Sequence, residues 1–232
     1  MAMNKVPTLV LGIGGIGCRM AANVSDLLTE EDRQFVGVVG LDTNVNDLKQ
    51  LKKRGMRTIQ TSDERTVRDY MREHFFSASW FPLNRFTAGK PLLNGAGQIR
   101  AVSRLAALAS EEQGKFKPIR DEIKRIRKDN GQLTVMVLGS ITGGTGAGLF
   151  LQLPYYLRKV MHEASGRSDI VIRGMFVGPD MTADVQPSTI NRDAVHVNGY
   201  ACLKELNAVY LQENDKPGIE QLKVDFYVPE SK

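Results

Sequence analysis

Thr134-Val-Met-Val-Leu-Gly-Ser140, continued by Ile141-Thr-Gly-Gly-Thr-Gly-Ala-Gly148, is the most informative run in the sequence. Its first part is mostly apolar and β-branched, which is typical of a buried strand, and a helix is expected from about Gly146 to Met161. A glycine-rich turn lets a phosphate approach the backbone, and the N–H groups at the start of a helix point towards the anion. The run therefore predicts a phosphate-binding loop between a strand and a helix.

Another glycine cluster, Gly12-Ile-Gly-Gly-Ile-Gly17, has the G-x-G-x-x-G pattern and also joins a predicted strand to a predicted helix. We call residues 12–17 the first loop and residues 141–148 the second loop. Asp42, at the end of the next strand, takes the place of the ribose-binding acid of a dinucleotide fold. Taken alone, this loop favours a Rossmann enzyme or a turn without a ligand. A dinucleotide fold does not explain the 141–148 loop, however. That loop also lacks the G-K-[ST] of a Walker A sequence, which argues against a P-loop protein.

A third cluster, Asn94-Gly-Ala-Gly97, ends a segment without clear periodicity that begins at Thr61. By itself it is an ordinary turn. Beside two phosphate-binding loops, it is well placed to contact a terminal phosphate.

Strands alternate with helices along the chain, which predicts a single α/β domain over residues 1–232, with a Rossmann-like parallel sheet and helices on both faces. The predicted strands are Thr8–Ile13, Phe35–Leu41, Met56–Gln60, Thr134–Ser140, Ile170–Val177 and Val224–Val228. The other predicted helices are Val45–Lys53, Ala101–Ala109, Phe116–Lys128 and Asn191–Leu211.

Composition excludes several classes of protein. The 232 residues carry 31 Lys and Arg against 26 Asp and Glu, so the basic excess suits anionic ligands without choosing among them. Two cysteines are too few for a disulfide framework, which favours a reducing, cytoplasmic location. No run approaches the roughly 20 apolar residues of a membrane span. The basic segment Lys115–Lys128 has an apolar stripe typical of a core-packed helix, so neither a nucleic-acid nor a membrane partner is expected.

The chain resembles the tubulin/FtsZ superfamily of GTP-binding cytoskeletal proteins. Gly143-Gly-Thr-Gly-Ala-Gly148 is similar to the family's phosphate loop, G-G-T-G-[ST]-G, with Ala147 in the variable place. Leu11-Gly-Ile-Gly-Gly-Ile-Gly-Cys18 resembles the first nucleotide loop of FtsZ, and Leu41-Asp-Thr-Asn44 resembles its Asn-Thr-Asp loop with the polar ends exchanged. The segment Gly95–Arg104 resembles the loop and helix start that contact the γ-phosphate.

Two further positions extend the resemblance, and one departs from it. Gln186 occupies the place of a Glu with which a tubulin loop touches the ribose, and Asn198 resembles the helix Asn that contacts guanine. Arg19 replaces a phosphate-side Asn of FtsZ. A basic group there could pair with a phosphate or point into solvent, and the solvent-exposed position is favoured.

The resemblance implies GTP or GDP as ligand, with Mg²⁺ bound to the nucleotide and no other metal site. The implied nucleotide-binding residues are Gly14, Gly15, Ile16, Cys18, Asp42, Asn44, Gly95, Ala96, Gly97, Thr142, Gly143, Gly144, Thr145, Gly146, Gln186 and Asn198. No catalytic residue is assigned, because the acid that positions the attacking water in this family follows a later core helix.

Val224–Lys232 resembles the strand that leads into that core helix. The chain is therefore expected to be a nucleotide-binding half that stops before the core helix and the C-terminal domain. We expect it to bind nucleotide, while hydrolysis and self-association into filaments require the full-length protein. Two alternatives stay open: an NAD(P)-binding Rossmann oxidoreductase domain and a nucleotide switch that forms no filaments.

Overall fold

The computed structural model describes residues 6–74, 78, 80–93, 97–127, 132–165, 170–183 and 189–213. In these residues, five strands form one parallel sheet in the order β3-β2-β1-β4-β5. The strands are β1 (Thr8–Ile13), β2 (Val36–Asp42), β3 (Arg57–Gln60), β4 (Thr134–Ser140) and β5 (Val171–Val177). The chain moves outward from β1 in one direction as far as β3 and then returns to β4 on the other side. The order of strands therefore reverses between β1 and β4, which is where sheets of this kind bind ligands.

Eight α-helices surround the sheet in the described residues. They are α1 (Gly14–Leu27), α2 (Val45–Lys53), α3 (Val67–Glu73), α4 (Arg100–Glu112), α5 (Lys117–Arg127), α6 (Gly144–Leu149), α7 (Gln152–Ser165) and α8 (Thr189–Glu213). The predicted α/β fold with a parallel sheet is confirmed.

Side chains alternate between the two faces of the central strand, and each face has its own core. Leu9 and Leu11 of β1 belong to the larger core, which α5 and α7 cover, and there Phe116 lies edge-on to Tyr156 with ring centroids 5.0 Å apart. Val10 belongs to a core on the opposite face, beneath α1 and α2. Burial on both faces explains the near-continuous apolar sequence of β1.

Close packing between α1 and β4 requires glycine at position 17. A Cβ atom on Gly17 would lie 2.1 Å from the carbonyl oxygen of Leu138, a distance that real Cβ atoms do not reach. The G-x-G-x-x-G pattern is thus used partly for packing the helix against the sheet, as the pattern requires in dinucleotide folds.

Two details differ from the sequence-based expectations. The segment 61–97 is not irregular throughout, because it contains α3, whose Thr66 side chain accepts a hydrogen bond from the Asp69 N–H. The helix expected from Gly146 to Met161 is interrupted at residues 150–151 and divided into α6 and α7. Pro154 lies in the first turn of α7, where its missing N–H costs nothing, whereas in an unbroken helix it would remove a hydrogen bond.

The remaining predicted elements in the described residues begin and end within three residues of their expected bounds. The expected strand Val224–Val228 lies outside the described residues. Two aromatic residues of segment 61–97 pack against the rest of the protein: Phe81 is buried, and the Arg104 guanidinium carbon lies 3.9 Å from the Trp80 ring centroid.

A buried carboxylate attaches α5 to the sheet. Glu122 is 4% exposed, and its Oε2 lies 3.1 Å from Arg57 Nε, while Arg125 Nε donates to its Oε1 at 3.1 Å. We expect Glu122→Gln to lower the free energy of unfolding by about 1–2 kcal/mol, less than for a fully buried pair because both arginines are partly exposed to solvent. Urea unfolding followed by circular dichroism measures this change.

The preceding residue supplies the matched control. Asp121→Asn should alter the free energy of unfolding by less than about 0.5 kcal/mol, as is usual for substitutions away from buried networks. Equal effects of the two substitutions would contradict the stabilising role given to Glu122.

Candidate functional site

A cavity of about 480 Å³ lies at the carboxyl edge of the sheet, where the order of strands reverses. All three glycine clusters contribute to its lining. Among the residues expected from sequence, those that line it are Gly14, Gly15, Ile16, Asp42, Asn44, Gly97, Thr142, Gly143, Gly144, Thr145 and Gly146. The fold thus brings together residues that are up to 132 positions apart, from Gly14 to Gly146.

The start of α1 is one side of this cavity. Gly14 has φ +70°, which favours glycine, and a Cβ atom on it would lie 3.2 Å from the Gly146 nitrogen. No side chain of the described residues caps the helix at Ile13, and its first turn contains no acidic residue. The first N–H groups of α1 therefore have no intrahelical partner and no cap from Ile13, and the Asp47 carboxylate lies close to Gly15, where a Cβ atom would be 3.1 Å from its Oδ2.

The start of α6 is the opposite side, and two of its glycines have different roles. A Cβ atom on Gly146 would lie 2.2 Å from the Ser140 carbonyl oxygen, so this position is needed for packing. A Cβ atom on Gly143 would have no neighbour within 4 Å in the described part of the chain. Gly143 also has no side-chain cap there and lines the cavity, so its small size leaves room for a ligand.

Asp42 connects the end of β2 to α6. Its Oδ1 accepts hydrogen bonds from Thr145 Oγ1 at 2.9 Å and from the Asn44 N–H at 3.2 Å, and Thr43 Oγ1 lies 3.0 Å from Thr145 Oγ1. Asp42 is 3% exposed, and desolvation raises the pKa of its carboxyl group above the ordinary value of 3.8. The Thr145 hydroxyl is therefore already used to join the loops.

The Thr142 hydroxyl belongs to a second network. It lies 2.6 Å from Ser140 Oγ and accepts a hydrogen bond from Thr182 Oγ1 at 3.1 Å. Because the hydroxyl groups of Thr142 and Thr145 bond to protein atoms, the donors that remain for an anion are chiefly backbone N–H groups at the helix starts.

Two expected site residues do not line the cavity. Cys18 is buried behind the first loop, with its Sγ 3.5 Å from the carbonyl oxygens of both Gly12 and Leu41, and burial raises the pKa of its thiol. Asn198 of α8 donates from Nδ2 to the carbonyl oxygens of Gln98 and Thr142, each at 3.0 Å.

Three other expected residues, Gly95, Ala96 and Gln186, lie outside the described residues. Gly97 is described, and it has φ +53°. Gln98, the next residue, has φ +62° and is the one non-glycine residue with positive φ in the described parts of the chain.

Arg19 and Asp47 are the charged residues of the lining besides Asp42. Arg19 is exposed, as favoured from the sequence, and its Nε donates to the Gly15 carbonyl oxygen at 3.2 Å. Asp47, in the first turn of α2, was not among the expected site residues. The cavity edge therefore has one cation and two carboxylates.

Sequence reasoning also omitted other lining residues from the expected site: Ile13, Thr43, Gln98, Ser140, Thr182 and Val195. Thr43 lies within the segment Leu41–Asn44 and Gln98 within the segment Gly95–Arg104, so both could have been included in the expected site. Thr182 and Val195 have no motif around them, and only the fold brings them to the cavity.

A search of the described residues for groups of three or more metal-binding side chains finds none. Nor does any helix in those residues have the length and apolar character needed to cross a bilayer.

Comparison with known proteins identifies the family of the chain. A family model described as "Tubulin like" matches residues 9–227. The chain therefore belongs to the tubulin-like family, which confirms the resemblance found from the loops. No curated protein matches the chain.

Several solved structures are similar to it. CetZ from Methanosaeta thermophila is 18% identical, with a TM-score of 0.47 over 88% of this chain and 43% of that chain. TubZ of Clostridium botulinum phage c-st is 14% identical, with a TM-score of 0.45 over 86% of this chain and 48% of that chain. A GTPγS-bound protofilament of CetZ2 from Haloferax volcanii is 12% identical, with a TM-score of 0.46 over 88% and 58%. The chain thus spans about half the length of these proteins.

A carboxylate with a raised pKa predicts a particular pH dependence. Between pH 3.8 and the higher pKa of folded Asp42, the folded state binds more protons than the unfolded state. The contribution of Asp42 to the free energy of unfolding therefore falls as the pH rises through this window. Asp42→Asn keeps an oxygen acceptor and removes the charge, so the stability difference, variant minus wild type, should increase with pH. Urea unfolding at several pH values in EDTA measures it.

Asp69 supplies a control of opposite sign. Its hydrogen bond from Thr66 lowers its pKa, so it stabilises the folded state above pH 3.8 and loses this contribution as the pH falls through the lower folded pKa. Asp69→Asn should become relatively less stable as the pH rises. The same slope for both variants would contradict the assignment of a desolvated carboxyl group to Asp42.

Proposed function

We propose that the cavity binds GTP or GDP and that the chain is the nucleotide-binding part of a tubulin-like cytoskeletal GTPase. The observation that carries this proposal is the convergence of two glycine-rich helix starts, with the Gly14 Cβ position 3.2 Å from the Gly146 nitrogen. Each helix start favours an anion through its N–H groups and its dipole, and two of them at one cavity suit a chain of phosphates. Membership of the tubulin-like family supports a guanine nucleotide.

In this proposal, backbone groups of the first two loops hold the phosphates. These residues are Gly14, Gly15, Gly143, Gly144, Thr145 and Gly146. The third loop, residues 95–97, contacts the γ-phosphate, and Arg19 at the cavity edge offsets part of the negative charge. Asp42 and the hydroxyl groups of Thr142 and Thr145 keep the loops in place, so that little reorganisation is needed when nucleotide binds.

The lining also fits a magnesium ion that arrives with the nucleotide. Asp47 is the carboxylate that would hold its water ligands, since Asp42 is buried and its Oδ1 already accepts hydrogen bonds from Thr145 and the Asn44 N–H. Mg²⁺ keeps several waters and is usually bound through one or two carboxylates and the phosphates, which agrees with one available carboxylate in the lining. When bound, the ion supplies charge neutralisation at the phosphates.

The hydrogen bonds of Asp42 favour this function over NAD binding. In a dinucleotide fold the acid after the second strand bonds the ribose hydroxyl groups. Here Asp42 is 3% exposed, and Oδ1 already accepts bonds from Thr145 and the Asn44 N–H. This carboxylate holds the loops together, and its Oδ1 is not available to a ribose hydroxyl group.

Calorimetric titration with GTP, GDP, ATP and NAD, each with and without Mg²⁺, tests the proposal. We expect binding of GTP and GDP, with GTP tighter when Mg²⁺ is present, and weak or no binding of NAD. Tight NAD binding without GTP binding would overturn the proposed function.

Filament assembly and GTP hydrolysis are a separate part of the proposal. A solved structure of TubZ from Bacillus thuringiensis is a GTPγS-form protofilament, and this chain covers 44% of that chain. We assign assembly and hydrolysis to a protein that also carries the other half of that architecture. Light scattering and electron microscopy with GTP test this assignment, and GTP-dependent filaments formed by residues 1–232 alone would contradict it. A longer version that binds GTP without filaments would favour the nucleotide switch.

A further inference from the structure

One face of α8 contacts the glycine loops through polar groups. Asn198, Cys202 and Glu205 recur at a spacing of four and three residues, which places them on the same side of the helix. Asn198 bonds to the Gln98 and Thr142 carbonyl oxygens, and the Cys202 Sγ lies 3.5 Å from the Ala147 carbonyl oxygen. This face therefore joins the second loop to the third.

Asn198 supplies the central contacts, and their chemistry is unambiguous. Its side-chain nitrogen lies 3.0 Å from each of two backbone carbonyl oxygens, and only an NH₂ group can donate to both. Asn198 is 8% exposed and does not line the cavity. Both of its N–H donors are thus used within the protein, and only Oδ1 is left for a nucleotide base.

The backbone at residues 97 and 98, beside the 141–148 loop, has a conformation that needs support. Gly97 and Gln98 are consecutive residues with positive φ, and for Gln98 this costs about 1 kcal/mol or more. Such a conformation persists only where neighbouring groups hold it. The carbonyl oxygen of Gln98 is one of the two that Asn198 bonds.

A second contact holds the residue that follows this loop. Arg100 Nε donates to the Ala147 carbonyl oxygen at 3.2 Å, and its guanidinium also pairs with Glu205. Asn198 and Glu205, which lie two turns apart on α8, therefore fix both ends of the segment 98–100 against the second loop.

We propose that Asn198 is a positioning residue: it holds Gly97 and Gln98, which line the cavity, against the 141–148 loop and so controls affinity for the γ-phosphate, while base selectivity does not depend on it. This inference rests on the proposed GTP site and differs from the guanine contact that the family resemblance implies for this residue. Loss of the NH₂ group releases the Gln98 carbonyl, so Gly97 and Gln98, the described residues of this segment that line the cavity, lose that support.

Asn198→Asp separates a positioning role from a contact with the base. The variant keeps Oδ1 as an acceptor, and it replaces the NH₂ donor by a carboxylate oxygen that faces two carbonyl oxygens. We expect GTP affinity to fall about tenfold and GDP affinity by less than about threefold, since GDP lacks the γ-phosphate. The ratio of GTP to ITP affinity should stay within about twofold, because the base is not contacted. Calorimetry with GTP, GDP, ITP and XTP measures these ratios.

Hydrogen exchange of the nucleotide-free protein tests the loop contact by itself. Amides of residues 97–104 should exchange faster in Asn198→Asp, while the control Asn207→Asp, an exposed position on the same helix, should leave exchange and all affinities unchanged. If Asn198→Asp does not fold, Glu205→Gln provides the same test with a smaller effect, through the Arg100 contact.

The outcomes are distinguishable. If the wild type binds no GTP, the proposed function fails, but exchange still shows whether Asn198 holds the loop. Unchanged exchange at residues 97–104 overturns the positioning role. A gain of XTP binding with loss of GTP binding identifies a base contact and overturns it too, as does an equal loss of GTP and GDP affinity.

Discussion

We expect Gly143→Val to lower the affinity for GTP by about a hundredfold, or about 2.7 kcal/mol, and to leave the protein folded. Gly143 lines the cavity in an extended conformation, with φ −91° and ψ 175°, which a β-branched residue adopts readily. A Cβ atom there meets no atom of the described residues within 4 Å. The added side chain therefore occupies space that the proposed site leaves for phosphate.

Two measurements check this result: calorimetric titration with GTP and the midpoint of thermal unfolding in the absence of nucleotide. The matched control is Gly89→Ala, since Gly89 is exposed, lies away from the cavity and also has an open Cβ position. The control should bind GTP as the wild type does. GTP binding by Gly143→Val within a factor of about two of the wild type would show that no phosphate lies at this helix start.

Gly146→Ala, unlike Gly143→Val, should lower the free energy of unfolding, because the added methyl group has no space in the folded protein. The new Cβ atom would lie 2.2 Å from the Ser140 carbonyl oxygen, and this neighbour is backbone at the end of a central strand. Relief requires α6 to move away from β4, so we expect the free energy of unfolding to fall by about 3 kcal/mol. GTP affinity also falls, since α6 supplies phosphate contacts in the proposed site.

Urea unfolding without nucleotide measures the loss, with Gly143→Val as the comparison from the same loop. The free energy of unfolding of Gly143→Val should change by less than about 1 kcal/mol. Equal destabilisation by the two substitutions would contradict the division of roles between a glycine for packing and a glycine for the ligand.

The sequence predicted the centre of the sheet well, because β1, β2 and β4 are largely buried on both faces and therefore mostly apolar. In β1, Leu9 and Val10 enter different cores, so no polar residue interrupts the pattern. The shorter elements were harder to predict. α3 has only seven residues, and its buried positions, Val67, Tyr70 and Met71, lie among charged ones. The break between α6 and α7 depends on Pro154, a signal that the apolar periodicity concealed.

The candidate site was predictable where glycine is required and less so elsewhere. Gly14 and Gly146 follow from the loop patterns, because close backbone approach excludes every other residue. Thr182 and Val195 come from segments without a motif and reach the cavity only through the tertiary fold. The contacts of Asn198 were beyond prediction for the same reason, since its partner Gln98 is 100 residues away. The nucleotide contacts themselves stay predictions.

The most direct test of the central claim is the change in backbone amide NMR shifts when GDP and Mg²⁺ are added to ¹⁵N-labelled protein. Our account predicts that the largest changes occur at the two helix starts, at residues 14–16 and 143–146, with smaller changes in the helices behind them. Saturation of the shifts with GDP and none with NAD would support the guanine nucleotide site. Shifts confined to other surfaces, or the same pattern with NAD but not GDP, would contradict it.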